Sequence, residues 1–270
     1  FYIERCEAMR NFANKLWNAS RYVMMNLSID KNELPALSEL ETSDKWILSK
    51  LNSLIADVTE NLDKYELGVA VQKIYDFIWD SYCDWYIELT KARLYGEDEA
   101  QKRSAQQVLL YVLDQILRLM HPFMPFITEE IWQALPHEGE FLMLSKWPEY
   151  NEKFSFPAEE EAMQTVIEAI TAIRARRNEM SVAPSKKVHY TVATAHKDAA
   201  MQISEEFCQS VGAEGFTSKD NLSKVSIVGA GMLSNPGVAA TMFEALGEND
   251  INISICLLYT SPSPRDRQKS

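Results

Sequence analysis

The chain has 270 residues, of which 46% are hydrophobic and 24% are charged, and these fractions are typical of an ordinary globular protein. No apolar run approaches the roughly 20 residues of a membrane-spanning helix, and residues 1–27 carry charges throughout, unlike a signal peptide. The net charge of −12 argues against a nucleic-acid binder that relies on overall charge, but it allows a local basic face. The four cysteines form no CxxC pair, so we expect no disulfide framework, no metal site and a cytoplasmic location.

Apolar residues at spacings of three and four predict that the first half of the chain is helical. The second of these helices begins near Thr42–Asp44, which are good N-cap residues, and the third is unusually aromatic and ends before Gly96. The predicted helices cover residues 1–27, 42–62, 67–95, 98–120 and 127–135. Helices joined by short connections predict an antiparallel bundle.

The pattern changes in the second half of the chain. Phe141–Leu144 is compatible with a short strand, and residues 158–178 form another amphipathic helix with a basic end. An α/β pattern follows, with strands at 188–192, 225–228 and 251–255 and helices at 197–209 and 237–247. The last residues, from Tyr259, are rich in Ser, Pro and Arg without apolar periodicity, so we expect them to be disordered.

Five strings resemble, in order and spacing, the anticodon-binding region of the valyl-tRNA synthetases, which are class I aminoacyl-tRNA synthetases. The string CDWYIE within the third of them is more typical of the valyl than of the leucyl or isoleucyl enzymes. The five are RNFANKLWNASRYV at Arg10–Val23, DKWILSKLN at Asp44–Asn52, LDKYELGVAVQKIYDFIWDSYCDWYIELTKARLY at Leu62–Tyr95, LRLMHPFMPFITEEIWQALP at Leu117–Pro136 and IRARRNEMSVAPSKK at Ile173–Lys187.

This resemblance implies a helical bundle that docks on the anticodon stem and loop of a valine tRNA. In that family a separate domain, carrying HIGH and KMSKS motifs, activates valine with ATP. Neither motif occurs in this sequence. We therefore expect no catalytic residue and no cofactor in this chain, no activity of the chain alone, and ATP only in a full-length parent.

Residues that could contact RNA cluster on three predicted helices. Amide and basic side chains on the first helix share a polar face, where they could read base edges and phosphates. An Asn/Lys/Arg face is more often merely solvated, and most aromatic residues of the third helix are expected in the core. The candidates are Asn11, Asn14, Lys15, Asn18 and Arg21 on the first helix, Trp79, Asp80 and Arg93 on the third, and Arg174 and Arg177 at the basic end of 158–178.

Two further features invite a functional interpretation but favour a structural one. His121 has no acidic or nucleophilic neighbour in sequence, so we interpret it as a helix-terminating or packed residue. Glu129 and Glu130 are interpreted as first-turn acids that favour the N-terminus of a short helix.

The region after residue 188 resembles a different family. Lys224–Ser254 is similar to the C-terminal ACT domain of aspartate kinases, and His189–Phe207 is similar to the end of a preceding ACT domain. This implies, as an alternative function, effector binding by a regulatory fragment and weak self-association through the truncated segment. The candidate effector-loop residues are Gly229, Gly231, Asn235 and Gly237.

The string GAGMLS also allows a dinucleotide-binding interpretation, with Asp250 about 20 residues further on. Its sixth position is Ser234 instead of glycine, and Asp250 precedes the next predicted strand instead of ending it. Residues 257–270 resemble translated sequencing-adapter sequence and are left out of fold reasoning.

The sequence thus predicts a mostly α chain: an antiparallel helical bundle followed by a truncated α/β, ferredoxin-like segment. The expected domains are the anticodon-binding bundle (1–150), a helix and connector that complete it (151–187), a partial ACT-like segment (188–256) and the tail (257–270). Because both resembling regions are incomplete, we expect a fragment. Its expected partner is tRNA, without a membrane or a metal.

Overall fold

The computed structural model describes residues 3–181. The predictions made for residues 188–256, including Gly229, Gly231, Asn235 and Gly237, and for the tail lie outside the described residues.

The described residues form a helical bundle, as predicted, and no strand occurs among them. The helix that runs from residue 67 to residue 94 changes character in its middle, where one stretch is π-helical; we call this stretch the π segment. The helices are α1 (Ile3–Asn26), α2 (Thr42–Asp63), α3 (Leu67–Asp76), the π segment (Phe77–Tyr86), α4 (Ile87–Leu94), α5 (Glu99–Met120), α6 (Pro125–Gln133) and α7 (Pro157–Glu179), with short 3₁₀ helices at Leu37–Glu39, Leu142–Leu144 and Glu152–Phe154.

Helix α5 lies at the centre of the bundle and contacts α1, α2, α3, α4 and α6. A helix surrounded in this way must be apolar on most of its circumference. Ten apolar residues of α5 are buried, from Ala105 to Met120. Helix α7 packs on α2 and buries Met163, Val166 and Ile170. The core is therefore continuous from α1 to α7.

The π segment keeps one side of a long helix in the core. Ala70, Ile74, Ile78, Tyr82 and Tyr86 are all fully buried, and they recur at every fourth residue. In a regular α-helix with 3.6 residues per turn, a four-residue repeat drifts around the axis by about 40° per repeat. The i→i+5 bonds of a π-helix put more residues into each turn and offset this drift. The four-residue spacing of buried side chains thus accounts for the π segment.

Helix starts follow local capping chemistry. Helix α2 begins at Thr42, as predicted, but its N-cap is Glu41 and not one of the residues 42–44. Asp44 instead sits in the first turn, where its carboxylate accepts a hydrogen bond from the Glu41 backbone N–H at 3.1 Å. In α5, the Asp98 carboxylate caps the helix by accepting from the backbone N–H groups of Ala100 and Gln101.

Two sequence predictions about the region around α6 are wrong. Phe141–Leu144 is not a strand, because Leu142–Leu144 forms a 3₁₀ helix. Glu129 and Glu130 are not first-turn acids, because α6 begins earlier, at Pro125. The Glu129 carboxylate instead accepts a hydrogen bond from the Leu142 backbone N–H at 3.0 Å and ties this loop to α6.

Among the helices within residues 3–181, none combines the length and the apolarity that crossing a bilayer requires.

Candidate nucleic-acid interface

The polar face predicted for α1 borders a groove between α1 and the long helix formed by the π segment and α4. On the opposite side of α1, Phe12, Leu16 and Val23 are buried in the core, which turns the polar residues outward. The groove has a volume of about 490 Å³. Its lining residues are Asn11, Asn14, Lys15, Asn18, Ala19 and Tyr22 from α1, and Cys83, Ile87, Glu88 and Lys91 from the facing helix. Four of the five α1 candidates therefore line one groove, and Arg21 is exposed beside them.

Lys15 is the cation of α1 that lines this groove, and it is held in place by two contacts. Its Nζ donates a hydrogen bond to Asp84 Oδ1 at 2.7 Å. The same Nζ lies 3.7 Å from the centroid of the Trp79 ring, within the range of a cation–π contact. The Trp79 ring also stacks on Tyr75, with centroids 5.7 Å apart. Trp79 therefore anchors Lys15 and is already covered, so it does not offer a free surface for a nucleobase.

A second groove of about 390 Å³ adjoins the first one. It is lined by Cys83, Asp84, Trp85, Glu88 and Arg174, and it shares Cys83 and Glu88 with the first groove. The Arg174 guanidinium lies 5.3 Å from the centroid of the half-buried Trp85 ring. The structure thus brings the basic end of α7 to the same surface as the polar face of α1.

The two other arginines of this basic end differ in their surroundings. Arg176 is exposed and forms an ion pair with Glu179 at 2.9 Å. Arg177, the second predicted contact on α7, is half-buried. Arg174 is therefore the arginine of α7 that lines a groove.

A second lysine lies over an aromatic ring at the end of the first groove. Lys91 pairs with Glu88 at 2.7 Å, and its Nζ lies 5.6 Å from the centroid of the Tyr22 ring. The Tyr22 hydroxyl donates to the Tyr95 hydroxyl, and burial, followed by Tyr95, raises the pKa of Tyr22. The grooves thus combine amides, cations stacked on aromatic rings, and acids.

Acidic residues also follow the four-residue spacing of the long helix: Asp76, Asp80, Asp84 and Glu88. The pKa of Asp80 is raised, mainly by partial burial and then by the charges of Asp76 and Asp84. Because of these acids the surface has mixed charge, and it is not a simple phosphate-binding patch.

The structure does not bring Arg93 to these grooves. Its guanidinium is 7% exposed and forms two hydrogen bonds with the fully buried Asp44 carboxylate, at 2.7 and 2.6 Å. Tyr86 donates a third hydrogen bond to the same carboxylate at 2.6 Å. Arg93 therefore joins α4 to the start of α2, and its predicted contact with RNA does not fit this position.

Several groove residues were not predicted from the sequence: Tyr22, Asp84, Trp85, Glu88 and Lys91. Trp85 and Asp84, which line the second groove, both lie in the π segment. The regular four-residue repeat of apolar and acidic positions was the available signal in the sequence.

His121 has the structural role that its sequence context indicates. Its Nδ1 lies 2.8 Å from the Thr128 hydroxyl, and His121 is the C-cap residue of α5. The contact joins the end of α5 to α6.

The described residues of the grooves offer binding chemistry. Asparagine side chains present both donors and acceptors to base edges, and a half-buried indole can stack on an unpaired base. Burial raises the pKa of the Cys83 thiol to about 12, so it is neutral and not a nucleophile at pH 7. Within residues 3–181, no cluster of His, Cys, Asp and Glu could hold a metal ion.

Comparisons with known proteins identify relatives of this chain. The family described as the anticodon-binding domain of tRNA ligase matches residues 44–192, and an ACT domain family matches residues 225–257. A valine–tRNA ligase of Clostridium tetani is 54% identical over 190 residues, which are 69% of this chain and 21% of that protein. That of Clostridium acetobutylicum is 50% identical over 206 residues, 76% of this chain and 23% of that protein.

The valine–tRNA ligase of Oceanobacillus iheyensis is 45% identical over 215 residues, 77% of this chain and 24% of that protein. The chain thus spans about a quarter of the length of these relatives. Among solved structures, a LeuRS of Agrobacterium radiobacter in a ternary complex with tRNA and LeuAMS is similar, with a TM-score of 0.40 and 21% identity, covering 55% of this chain and 17% of that one.

The matching family covers more than half of the chain, including the π segment and the end of α7 that line the two grooves. The chain belongs to the family of anticodon-binding domains of tRNA ligases.

Proposed function

We propose that residues 3–181 bind the anticodon stem and loop of a valine tRNA. The observation that carries this proposal is the pair of adjoining grooves, where the amides of α1, the Trp85 ring and the Arg174 guanidinium meet on one surface. Single-stranded RNA loops are recognised by this combination of stacking surfaces and edge-reading polar groups. Membership of the family and the identity to valine–tRNA ligases support the choice of tRNA and of valine.

The role within a larger enzyme is also part of the proposal. The chain would position tRNA, while a domain present in the full-length relatives would esterify valine with the help of ATP. The absence of HIGH and KMSKS motifs from the sequence supports this division of labour.

A filter-binding titration of the full chain with valine tRNA, and with the same tRNA carrying an altered anticodon, tests the proposal. We expect tighter binding to the unaltered tRNA and an affinity that falls as the salt concentration rises. Equal affinity for both RNAs, or an affinity that does not depend on the salt concentration, would contradict the proposal.

A matched pair of lysine variants locates the site. Lys15→Ala removes a groove cation that pairs with an acid, and Lys64→Ala removes the exposed C-cap lysine of α2, which pairs with Glu60. We expect only Lys15→Ala to weaken binding and to reduce the salt slope by about 1. Equal losses in both variants would show that the chain responds only to net charge.

A second candidate function is effector binding, which the match of an ACT domain family to residues 225–257 favours. A ligand that binds the folded state raises its thermal stability. Stabilisation of the chain by lysine or threonine, without an effect of these amino acids on tRNA binding, would support this candidate. An unchanged melting temperature in the presence of both amino acids would exclude it.

A further inference from the structure

We propose that Asp84 is a latch that restrains RNA binding: it holds the Lys15 ammonium over Trp79 in the free protein and gives it up to an RNA phosphate. This inference rests on the proposed tRNA-binding function and adds a residue that controls its affinity.

The position of the ion pair is the first argument. Lys15 lines the first groove and Asp84 lines the second, so their 2.7 Å contact lies where the two grooves meet. The grooves share Cys83 and Glu88 on the same helix. An RNA strand that occupies both grooves must therefore pass this ion pair.

The exposure of the pair is the second argument. The Lys15 and Asp84 side chains are 22% and 51% exposed, so water competes with their interaction. Pairs of this kind contribute little to stability because solvent screens them. An incoming phosphate can therefore replace Asp84 as the partner of Lys15.

The Trp79 ring is the third argument, because it keeps Lys15 in place during such an exchange. The ring holds the ammonium at 3.7 Å through a contact that does not involve Asp84. The ring is itself fixed by stacking on Tyr75, which stacks on Phe12 in the core. Lys15 thus stays aimed at the grooves when its carboxylate partner changes.

The negative charge of Asp84 determines whether the latch raises or lowers the affinity for RNA. A phosphate that reaches Lys15 also approaches the Asp84 carboxylate, and like charges repel. RNA binding must therefore displace an attraction and overcome a repulsion at the same place. Removal of the Asp84 charge should tighten binding.

The test compares Asp84→Asn with Asp76→Asn in the full chain. Both changes remove one negative charge from the same long helix, but Asp76 lines neither groove and contacts Gln72. We expect Asp84→Asn to bind valine tRNA about two- to fivefold more tightly, in line with a weak exposed pair. Asp76→Asn should change the affinity less.

A Lys15→Ala background separates a latch from simple repulsion. In that background Asp84→Asn should tighten binding clearly less than it does in the wild-type chain, because only the repulsion between Asp84 and the phosphate remains and no ammonium has to be released. An undiminished gain without Lys15, an equal gain from Asp76→Asn, or weaker binding by Asp84→Asn would overturn the latch.

The outcome for the wild-type chain distinguishes the two proposals. Wild-type binding that depends on the anticodon, together with an unchanged affinity of Asp84→Asn, would remove the latch alone. Absence of anticodon-dependent binding in the wild-type chain would remove the proposed function and the latch with it.

Discussion

Among the acid–base pairs that join neighbouring helices of this bundle, Asp44–Arg93 and Lys15–Asp84 differ mainly in burial. The Asp44–Arg93 pair links α2 to α4 at 2.6 Å, with side chains 0% and 7% exposed. The Lys15–Asp84 pair links α1 to the π segment at 2.7 Å, with side chains 22% and 51% exposed. Similar distances therefore accompany opposite roles: the buried pair fixes the fold, and the half-exposed pair can exchange its partner.

The difference follows from solvation. A buried charge that loses its partner cannot be rehydrated, so the loss is costly even though the pair itself adds little net stability. An exposed charge that loses its partner returns to water. Asp44 is protected further, because Tyr86 and the Glu41 backbone N–H also donate to its carboxylate.

The largest expected effect is the loss of stability when the buried pair is disrupted. Arg93→Met leaves the Asp44 carboxylate buried without its charge partner, and we expect the free energy of unfolding to fall by about 3–5 kcal/mol. Urea denaturation at pH 7 measures this loss. The matched control is Lys91→Met, two residues earlier on α4, whose side chain is 40% exposed and pairs with Glu88.

The control should lose less than about 1 kcal/mol, as expected for a surface pair. Equal losses in Arg93→Met and Lys91→Met would show that burial does not separate the two kinds of pair.

A smaller effect is expected from Tyr86→Phe, which removes one donor from Asp44 and keeps the ion pair. A hydrogen bond to a charged group contributes about 1.5–3 kcal/mol, so the variant should unfold at a lower urea concentration than the wild type at pH 7. Tyr65→Phe, at an 89% exposed position, should leave the pH 7 stability unchanged.

The pH dependence of the stability of Tyr86→Phe gives a second test of the buried pair. Burial, followed by the charge of Asp44, raises the pKa of Tyr86 above the ordinary 10.0. Above about pH 10 the unfolded chain therefore loses this proton while the folded chain retains it, and the free energy of unfolding falls as the pH rises. Tyr86→Phe lacks this contribution, so its stability should fall less steeply from pH 9 to pH 11. Parallel curves for the two proteins would contradict the assignment.

The sequence predicted the helices well, because the signal for each helix is local. The apolar stripe of α1 and the caps near Thr42 and Asp98 lie within a few residues of the elements that they determine. The partner of Arg93 could not be predicted, since Asp44 lies 49 residues away and the fold alone brings the two together. The same holds for Lys15 and Asp84, which are 69 residues apart.

The candidate site was predicted in part for the same reason. A polar face of α1 can be recognised from spacing, so the sequence predicts Asn11, Asn14, Lys15 and Asn18 as candidates, and these four residues line the first groove. Which tryptophan of the long helix lines a groove depends on the π segment, whose wider turns do not follow the 3.6-residue period of an α-helix. The sequence therefore predicts Trp79 as a contact, although Trp85 lines the second groove and Trp79 supports Lys15.

The smallest expected effect concerns the stability of the exposed pair. Asp84→Asn should lower the free energy of unfolding by less than about 1 kcal/mol, since both partners are solvated and the Trp79 ring still contacts Lys15. Urea denaturation of Asp84→Asn beside Arg93→Met measures both sides of the comparison in one experiment. A loss near that of Arg93→Met would make Asp84 a structural residue, and any change in RNA affinity would then reflect a loosened bundle. A small loss together with tighter RNA binding requires that the pair lowers affinity without holding the fold, because stability and binding would then respond to the same substitution in opposite directions.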